Sequence, residues 1–468
     1  MKLIVGIYLL LTCVDSRKSD YKRIIFSDFV RQELQNNFAK QYSFLASNND
    51  TFADHFRKLW QQHKDAKLIR LQPEQTVFEN RAIPLTNNRK DLVTLTTMSK
   101  RRPLIFQIDD FLFDDECEHI KTLALKHGME KSETAGDGLE RQGISPGLYD
   151  DIGAIEFEDF DLDEDKVINI TELLRGFRTI FDNRMGSMIA KNIAKDTYMD
   201  FNLDGIIEKW EWNIKNLTLL VKMLNESRAF NPASQARFSE QVWLSQTDSN
   251  DSVLLSLQDR LHQVTRLPLE MIRNSEQLQV VRYKPGGHYD CHLDSDPRYY
   301  EDNFRPCCHV HNASSKEDQD CSSCRYMTVL FYLDDTEHGG ETAFPVAGVD
   351  PYKNNLANEN GGSEEEWCDL TMHCSQASIR VKPKKGRAVL WYNHFIDPDT
   401  EWMGAVDRNS LHGGCAVHSG SKWIANNWIN AGYHREHDFL SWIINEWRTE
   451  KEDEEGELEE DVDESIVS

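Results

Sequence analysis

Nowhere in the 468 residues does an apolar run reach the roughly 20 residues a helix needs to cross a bilayer. The best candidate, Leu3 to Val14 behind Lys2, ends at Asp15-Ser16 and has the length and flanks of a cleaved signal peptide covering residues 1–16. No transmembrane span is therefore expected, and the protein is placed in the endoplasmic-reticulum lumen or outside the cell. Positive charge is also in deficit. With 53 Lys+Arg against 79 Asp+Glu the net charge is -26, which argues against nucleic acid as a partner. Part of the excess is local: Glu450 to Glu464 is nearly all acidic with little to bury, so residues 449–468 read as a disordered tail. The terminal Ser465-Ile466-Val467-Ser468 is no retention signal of the Lys-Asp-Glu-Leu type, so residence in the endoplasmic reticulum would require a partner. Nothing in the sequence fixes an oligomeric state.

Cysteine is sparse outside one cluster. Cys13 leaves with the signal, and Cys307, Cys308, Cys321 and Cys324 gather in a short stretch beside His309 and His311. Zinc is one reading of that cluster, because Cys-x-x-Cys is a common ligand pair. An exported chain favours disulfides instead: Cys308 with Cys324 first, then Cys307 with Cys321, with Cys368 and Cys374 closing another loop. Cys117, Cys291 or Cys415 is left free. Six Asn-x-Ser/Thr sequons occur, a number that chance supplies in a chain this long.

What the sequence does hold is a redox-metal donor set. His292-Leu293-Asp294, a second histidine at His412 and a lysine at Lys422 lie between Tyr283 and Trp428. Two imidazoles and one carboxylate on a single face suit non-haem iron(II), leaving positions open for a chelating co-substrate and for oxygen. In a regular strand residues i and i+2 share a face, so His292 and Asp294 can grip one ion. The same rule leaves a second pair, His288 and Asp290, equally eligible, since 288, 290, 292 and 294 would all share that face.

The spacing Tyr283-x-x-Gly286-x-x-Tyr289-x-x-His292-x-Asp294 resembles the prolyl 4-hydroxylase family. The likeness continues through Arg325 to Leu333, Gly339-Gly340-Glu341-Thr342-Ala343-Phe344-Pro345, Val389-Leu390-Trp391, Leu411-His412-Gly413-Gly414-Cys415 and Lys422 to Trp428, and covers about residues 103 to 430. The resemblance implies iron(II) on His292, Asp294 and His412, 2-oxoglutarate held through its far carboxylate by Lys422 and hydrogen-bonded by Tyr283, and ascorbate as reductant. It also implies Tyr289 and Trp428 in the peptide groove and a double-stranded β-helix (jelly-roll) fold. Independently of it, Thr328 to Leu333 and Arg387 to Tyr392 read as buried strands bounded by turn residues, which fits an all-β sandwich or jelly roll.

A second constellation is acidic. Asp161, Asp163, Asp165, the Val167 carbonyl and Glu172 fit a calcium loop, as do Asp200, Asn202, Asp204, the Ile206 carbonyl and Glu211. The loops start 39 residues apart, the spacing of a paired EF-hand. Lys166 stands where the left-handed sixth position favours glycine, a cost on the order of 1 kcal/mol, so the second loop is the stronger. Asn169 is a sequon inside the first loop, where a glycan would compete with calcium, so it is expected unmodified. Calcium loops upstream of such a domain resemble the endoplasmic-reticulum, membrane-anchored members of the family.

The expected architecture is α+β, a jelly-roll oxygenase with an inserted helical EF-hand pair. Residues 17–102 form a helical N-terminal region, 103–128 and 240–432 the oxygenase, and 129–239 the calcium pair. The expected activity is 2-oxoglutarate- and iron(II)-dependent hydroxylation of peptidyl proline in a protein substrate. A lysyl or other peptidyl hydroxylase and a non-catalytic calcium-dependent binding protein are the rivals.

Overall fold

The computed structural model describes residues 66–73, 80–84, 92–132, 156–246, 251–295, 324–348 and 368–432, with single positions at 435, 438, 439 and 442. The signal segment, the acidic tail and Cys307, Cys308 and Cys321 lie outside them.

Leaving aside two small two-stranded pairs, the strands in chain order are β1 (Asn80–Pro84), β2 (Leu92–Ser99), β3 (Ile105–Asp109), β4 (Glu130–Lys131), β5 (Val167–Ile168), β6 (Ile207–Glu208), β7 (Arg237–Phe238) and β8 (Glu240–Leu244). There follow β9 (Leu278–Tyr283), β10 (His288–His292), β11 (Arg325–Tyr332), β12 (Thr342–Phe344), β13 (Ile379–Val381), β14 (Ala388–Tyr392), β15 (His412–Gly414) and β16 (Lys422–Asn430). One sheet runs β1-β2-β3-β14-β11-β16-β9-β8-β4 and a second runs β13-β12-β15-β10-β7, all pairs antiparallel. Two antiparallel sheets enclosing one core are the jelly-roll arrangement.

The large sheet is buried on both faces, which is why its strands are nearly continuous apolar runs. Val280, Val329, Phe331, Leu390 and Ala425 pack against α1 (Asp114–His127) and against the helices Ser252–Thr265 and Leu269–Arg273, through Cys117, Ile120 and Ala124, Leu257 and Leu261, and Met271. Their alternates, Val281, Tyr283, Leu330, Tyr332, Val389 and Ile424, face the second sheet. The helix α1 opens with Asp114, Asp115 and Glu116, and Glu116 returns to accept from the Phe113 N–H at 2.8 Å. Gly128 ends it at φ 91°.

Between β4 and β7 lies a helical unit with its own core of Phe160, Leu173, Phe177, Ile193, Met199, Trp212 and Leu220. It comprises α2 (Ile170–Thr179), α3 (Ser187–Asp196), α4 (Lys209–Ile214) and α5 (Leu217–Phe230). Strands β5 and β6 pair antiparallel, Ile168 opposite Ile207, and join the loops that precede α2 and α4. The chain re-enters the sheets through β7 and β8, then forms α6 (Ser252–Thr265) and α7 (Leu269–Arg273). Asp251 caps α6, accepting from the Val253 and Leu254 N–H groups. Arg260 of α6 donates to Glu116 of α1 at 2.9 Å, tying the two helices together beneath the sheet.

Three expectations need correction. Residues 80–84 and 92–99 are strands and not helix: β2 pairs β3 from Thr94↔Asp109 to Ser99↔Ile105, so the oxygenase sheet begins before residue 103. The Leu92–Ser99 stretch alternates Leu95, Thr97 and Ser99 inward, a period-2 pattern. At its other end the domain passes 432, because Phe439 and Trp442 pack on Trp402 and Asp438 accepts from the Trp402 indole N–H at 2.8 Å. The helical unit is also shorter than 129–239, since β4 and β7 already belong to the sheets.

The cysteine pairing differs as well. Cys291 is bonded to Cys368 and Cys374 to Cys415, so Cys368 and Cys374 do not join each other and neither Cys291 nor Cys415 is free. The segment 368–377 lies across β10 and β15, bringing each of its cysteines beside a strand cysteine instead of beside the other. Cys324 is disulfide-bonded, which removes it as a zinc ligand. Cys117 is the free cysteine among the described residues, and burial pushes its thiol up to about 12.

Candidate active site

Strands β10 and β15 pair with Tyr289 opposite Gly414 and His292 opposite His412, so Asp290 and Cys291 together face the single residue Gly413. This is a bulge, which re-aims the side chains that follow it. It breaks the period-2 expectation. Tyr289, His292 and Asp294 line one cavity, while His288 and Asp290 do not. Both ring nitrogens of His288 are engaged, with the Gly286 carbonyl at 2.9 Å and the Gln235 carbonyl at 2.8 Å, and Asp290 pairs with Arg184 at 3.1 Å.

One donor atom each from His292, Asp294 and His412 lies within 4.8 Å of the others. Asp294 Oδ1 stands 3.7 Å from His292 Nε2, and Asp294 Oδ2 stands 3.5 Å from His412 Nε2. Each imidazole is oriented from behind, His292 Nδ1 by the Asp290 carbonyl at 2.9 Å and His412 Nδ1 by the Ser410 carbonyl at 2.8 Å. A carbonyl can only accept, so both rings carry hydrogen on Nδ1 and turn the Nε2 lone pair into the cavity. Burial and the neighbouring His412 hold His292 down at about 3, neutral at physiological pH. Burial acts to raise Asp294, but the two histidines, Arg325 and the Thr328 hydroxyl overcome it and hold the carboxylate low. Neutral imidazoles and an ionised carboxylate are the protonation states a divalent cation requires.

Sequence reasoning missed the groups that steady Asp294. Thr328 donates to Asp294 Oδ2 at 2.6 Å and accepts from Asn393 Nδ2 at 2.8 Å. A threonine among the apolar residues of β11 and an asparagine just past β14 were the available signals.

Lys422 lines the same cavity, about 170 Å³ in volume, and is 2% exposed. It forms no ion pair among the described residues; its Nζ lies over the rings of Tyr283 and Tyr332, 5.2 and 5.8 Å from their centroids. Burial pushes this amine down to about 7. Among the described residues Glu341 is the one acid that acts on it, and without an ion pair; a buried amine so placed at a cavity is a site for an anionic group from outside. Lys422, Ile424, Asn426 and Trp428 alternate along β16 into the cavity. Tyr283 is buried in the wall next to Lys422. The Tyr289 ring stacks on His292 at 3.8 Å, and Trp428 lies under the Arg325 guanidinium at 3.6 Å. Arg237 of β7, unremarked in the sequence, faces Tyr289 at 4.7 Å.

The acidic loops of the helical unit curl in the same way as each other. Lys166 and Gly205 take φ 73° and 85° at corresponding positions. Glu172 accepts from the Leu162 and Asn169 N–H groups, and the fully buried Glu211 from those of Phe201, Asn202 and Glu208. Asp161, Asp163 and Asp165 gather their oxygens within 4.8 Å, and Asp161 Oδ1 and Asp200 Oδ1 are buried without a hydrogen-bond donor. Orphaned carboxylate oxygens at the first position of both loops fit a hard cation. The Val167 and Ile206 carbonyl positions lie within these turns, at the start of β5 and just before β6. Asn169 accepts from the Thr171 and Glu172 N–H groups as the cap of α2.

Comparison with known proteins is consistent with this geometry. The model of the 2OG-Fe(II) oxygenase superfamily matches residues 278–430. The human transmembrane prolyl 4-hydroxylase is 33% identical over 354 residues, spanning 76% of this chain and 68% of the human protein. The chain belongs to the prolyl 4-hydroxylase-like 2-oxoglutarate/iron(II) oxygenases. The mouse transmembrane prolyl 4-hydroxylase is 35% identical over 329 residues, 70% of this chain and 63% of the mouse protein, so this oxygenase spans about two thirds of each relative. A viral collagen prolyl hydroxylase from Paramecium bursaria Chlorella virus-1, in complex with 2-oxoglutarate, aligns at 21% identity with a TM-score of 0.29 over 70% of this chain and 95% of the viral one. The expectation of a protein without a transmembrane span is overturned by the names of the two mammalian relatives, both transmembrane. Among the described residues no helix is long and apolar enough to cross a membrane, and residues 1–65 lie outside that search.

Proposed function

We propose that this oxygenase hydroxylates peptidyl proline at the expense of 2-oxoglutarate and oxygen, releasing succinate and carbon dioxide. The observation that carries the reading is the meeting of two imidazoles, one carboxylate and a buried lysine in one cavity. In this reading His292, Asp294 and His412 hold iron(II), and Lys422 pairs with the far carboxylate of 2-oxoglutarate while Tyr283 adds a hydrogen bond. Iron, when bound, supplies the oxygen activation that couples decarboxylation to hydroxylation. The chain's residues do the rest: backbone carbonyls fix the imidazole tautomers, Thr328 holds the carboxylate in its orientation, and the apolar wall of β9, β11 and β16 keeps water away. Tyr289 and Trp428 form the floor on which a peptide lies, and ascorbate would serve as the reductant.

The helical unit is read as an EF-hand pair. Asp161, Asp163, Asp165, Val167 and Glu172 take one calcium, and Asp200, Asn202, Asp204, Ile206 and Glu211 take the other. An oxidising, calcium-rich compartment, the endoplasmic reticulum, suits both these loops and the disulfides.

The deciding assay measures succinate formed from 2-oxoglutarate with iron and ascorbate, with and without a pool of proline-containing peptides whose masses are read in parallel. Peptide-stimulated succinate with a one-oxygen mass gain on proline is expected. Succinate no greater than that of His412→Ala, in protein shown to hold iron, would favour the non-catalytic reading; a mass gain on lysine would favour the other hydroxylase.

A further inference from the structure

The bulge in β10 creates a mechanical problem at the metal site. Asp290 and Cys291 stand opposite one residue of β15, so the ladder does not fix them individually, yet the Asp290 carbonyl orients His292. Both residues are tied instead to consecutive residues of the segment crossing the strands. Cys291 is bonded to Cys368, and Asp290 is joined to Asp369 through one guanidinium. That guanidinium is Arg184, from the helical unit between α2 and α3. Its Nη2 lies 3.1 Å from Asp290 Oδ2, and its Nη1 makes an ionic contact of 2.7 Å with Asp369 Oδ2. The arginine is itself well anchored. Nη2 donates to the Ala233 and Gln235 carbonyls at 3.1 and 2.9 Å, and its backbone N–H to the Ser234 carbonyl at 2.7 Å. The Asp290 N–H donates to the neighbouring Ala236 carbonyl at 2.7 Å, so the same short stretch holds both partners.

We infer that Arg184 is a positioning residue for the metal site, bridging Asp290 and Asp369 so that the bulged strand presents His292 at a fixed distance from Asp294 and His412. The inference rests on the reading of those three residues as metal ligands. Arg184 touches neither metal nor substrate; it acts through the backbone at Asp290, and it makes the helical unit part of the catalytic geometry. A planar fork suits this work, because one cation must meet two carboxylates on different segments, which a lysine ammonium does less well.

The test is an anaerobic cobalt(II) titration of the full chain with calcium saturating, followed by the visible absorption of bound cobalt, for the wild type, Arg184→Gln, Arg184→Lys, Asp369→Asn and His292→Ala. Arg184→Gln and Asp369→Asn are each expected to weaken cobalt binding about tenfold and shift the absorption spectrum, with Arg184→Lys between them and the wild type. The iron concentration giving half-maximal succinate rises in parallel. Should Arg184→Gln fail to fold, Asp369→Asn carries the test, because it opens the bridge while leaving the arginine's contacts with residues 233–235 intact. Wild-type cobalt affinity and spectrum in Asp369→Asn overturn the inference, provided His292→Ala has lost the metal. Cobalt binding unaltered in His292→Ala instead overturns the metal-site reading itself.

Discussion

Replacing Lys422 with methionine separates what this residue costs the fold from what it contributes to the site. Its amine is 2% exposed and burial brings it down to about 7, against roughly 10.4 for a free lysine. Between about pH 7 and pH 10 the unfolded chain therefore holds a proton that the folded chain has released, and the stability of the ligand-free protein rises with pH by at most about 1.4 kcal/mol per unit. Lys422→Met removes that slope. At pH 7 it is expected to stabilise the ligand-free protein by roughly 2–4 kcal/mol, less than the full shift because a new side chain must repack against Tyr283 and Tyr332. Denaturant unfolding at pH 7 and pH 9 without 2-oxoglutarate reads this directly. The same variant loses the counter-ion of a buried carboxylate, so calorimetric affinity for 2-oxoglutarate falls about 100- to 1000-fold. In the wild type the amine must be charged to pair. Affinity therefore weakens as pH rises, about fivefold from pH 7 to pH 8. A variant less stable than wild type at pH 7 refutes the burial argument, and one that binds 2-oxoglutarate within threefold of wild type removes Lys422 from the co-substrate site.

Thr328→Val breaks the 2.6 Å bond to Asp294 and strands the Asn393 amide, so metal affinity is expected to fall about tenfold in a cobalt titration; unchanged affinity means Asp294 is held by its other neighbours. Gly413→Ala places a methyl group 2.6 Å from both Leu370 Cδ1 and the Tyr289 carbonyl and 2.8 Å from that of Asp290. Two of these neighbours are backbone, so thermal unfolding should show a loss of about 1–3 kcal/mol together with loss of the metal. Lys166→Gly relieves a left-handed residue at φ 73° and should raise stability in calcium by about 1 kcal/mol, read as a higher melting temperature.

The ends of α1 and α6 carry local signals in the sequence: acidic residues at one end of α1 and Gly128 at the other, and Asp251 before the Leu254, Leu257, Leu261 stripe of α6. The sandwiched strands were legible from their apolar runs. The bulge was not recognised, although a signal was present. Tyr289 and His292 were both assigned to the site, and residues three apart cannot share a face of a regular strand. A bulge between them resolves that conflict and also sends His288 and Asp290 elsewhere, a choice periodicity alone left open. The Cys368–Cys374 pairing was misassigned because sequence proximity suggested it, whereas pairing follows from which strands the intervening segment crosses. Arg184 carries no local signal, since its partners lie 106 and 185 residues away.

Through residues 231–238 the helical unit is joined directly to the oxygenase sheets. The chain leaves the large sheet at β4 and re-enters the fold at β7 of the second sheet, where β7 pairs with His288 and Tyr289 on the strand that bears His292. Order in the unit is therefore order at the edge of the active site. If calcium binds only the folded loops it stabilises them in proportion to the logarithm of its concentration over the dissociation constant, and good sites in a calcium-rich compartment stay filled. Calcium then acts as a structural component rather than a signal. Chelation is expected to lower the melting temperature and to weaken cobalt binding at the His292 site together, because both effects pass through the 182–184 and 231–238 stretches that hold β10. A calcium titration that changes peptide affinity at constant melting temperature contradicts this account, since it requires two folded states of similar stability in place of one that calcium completes.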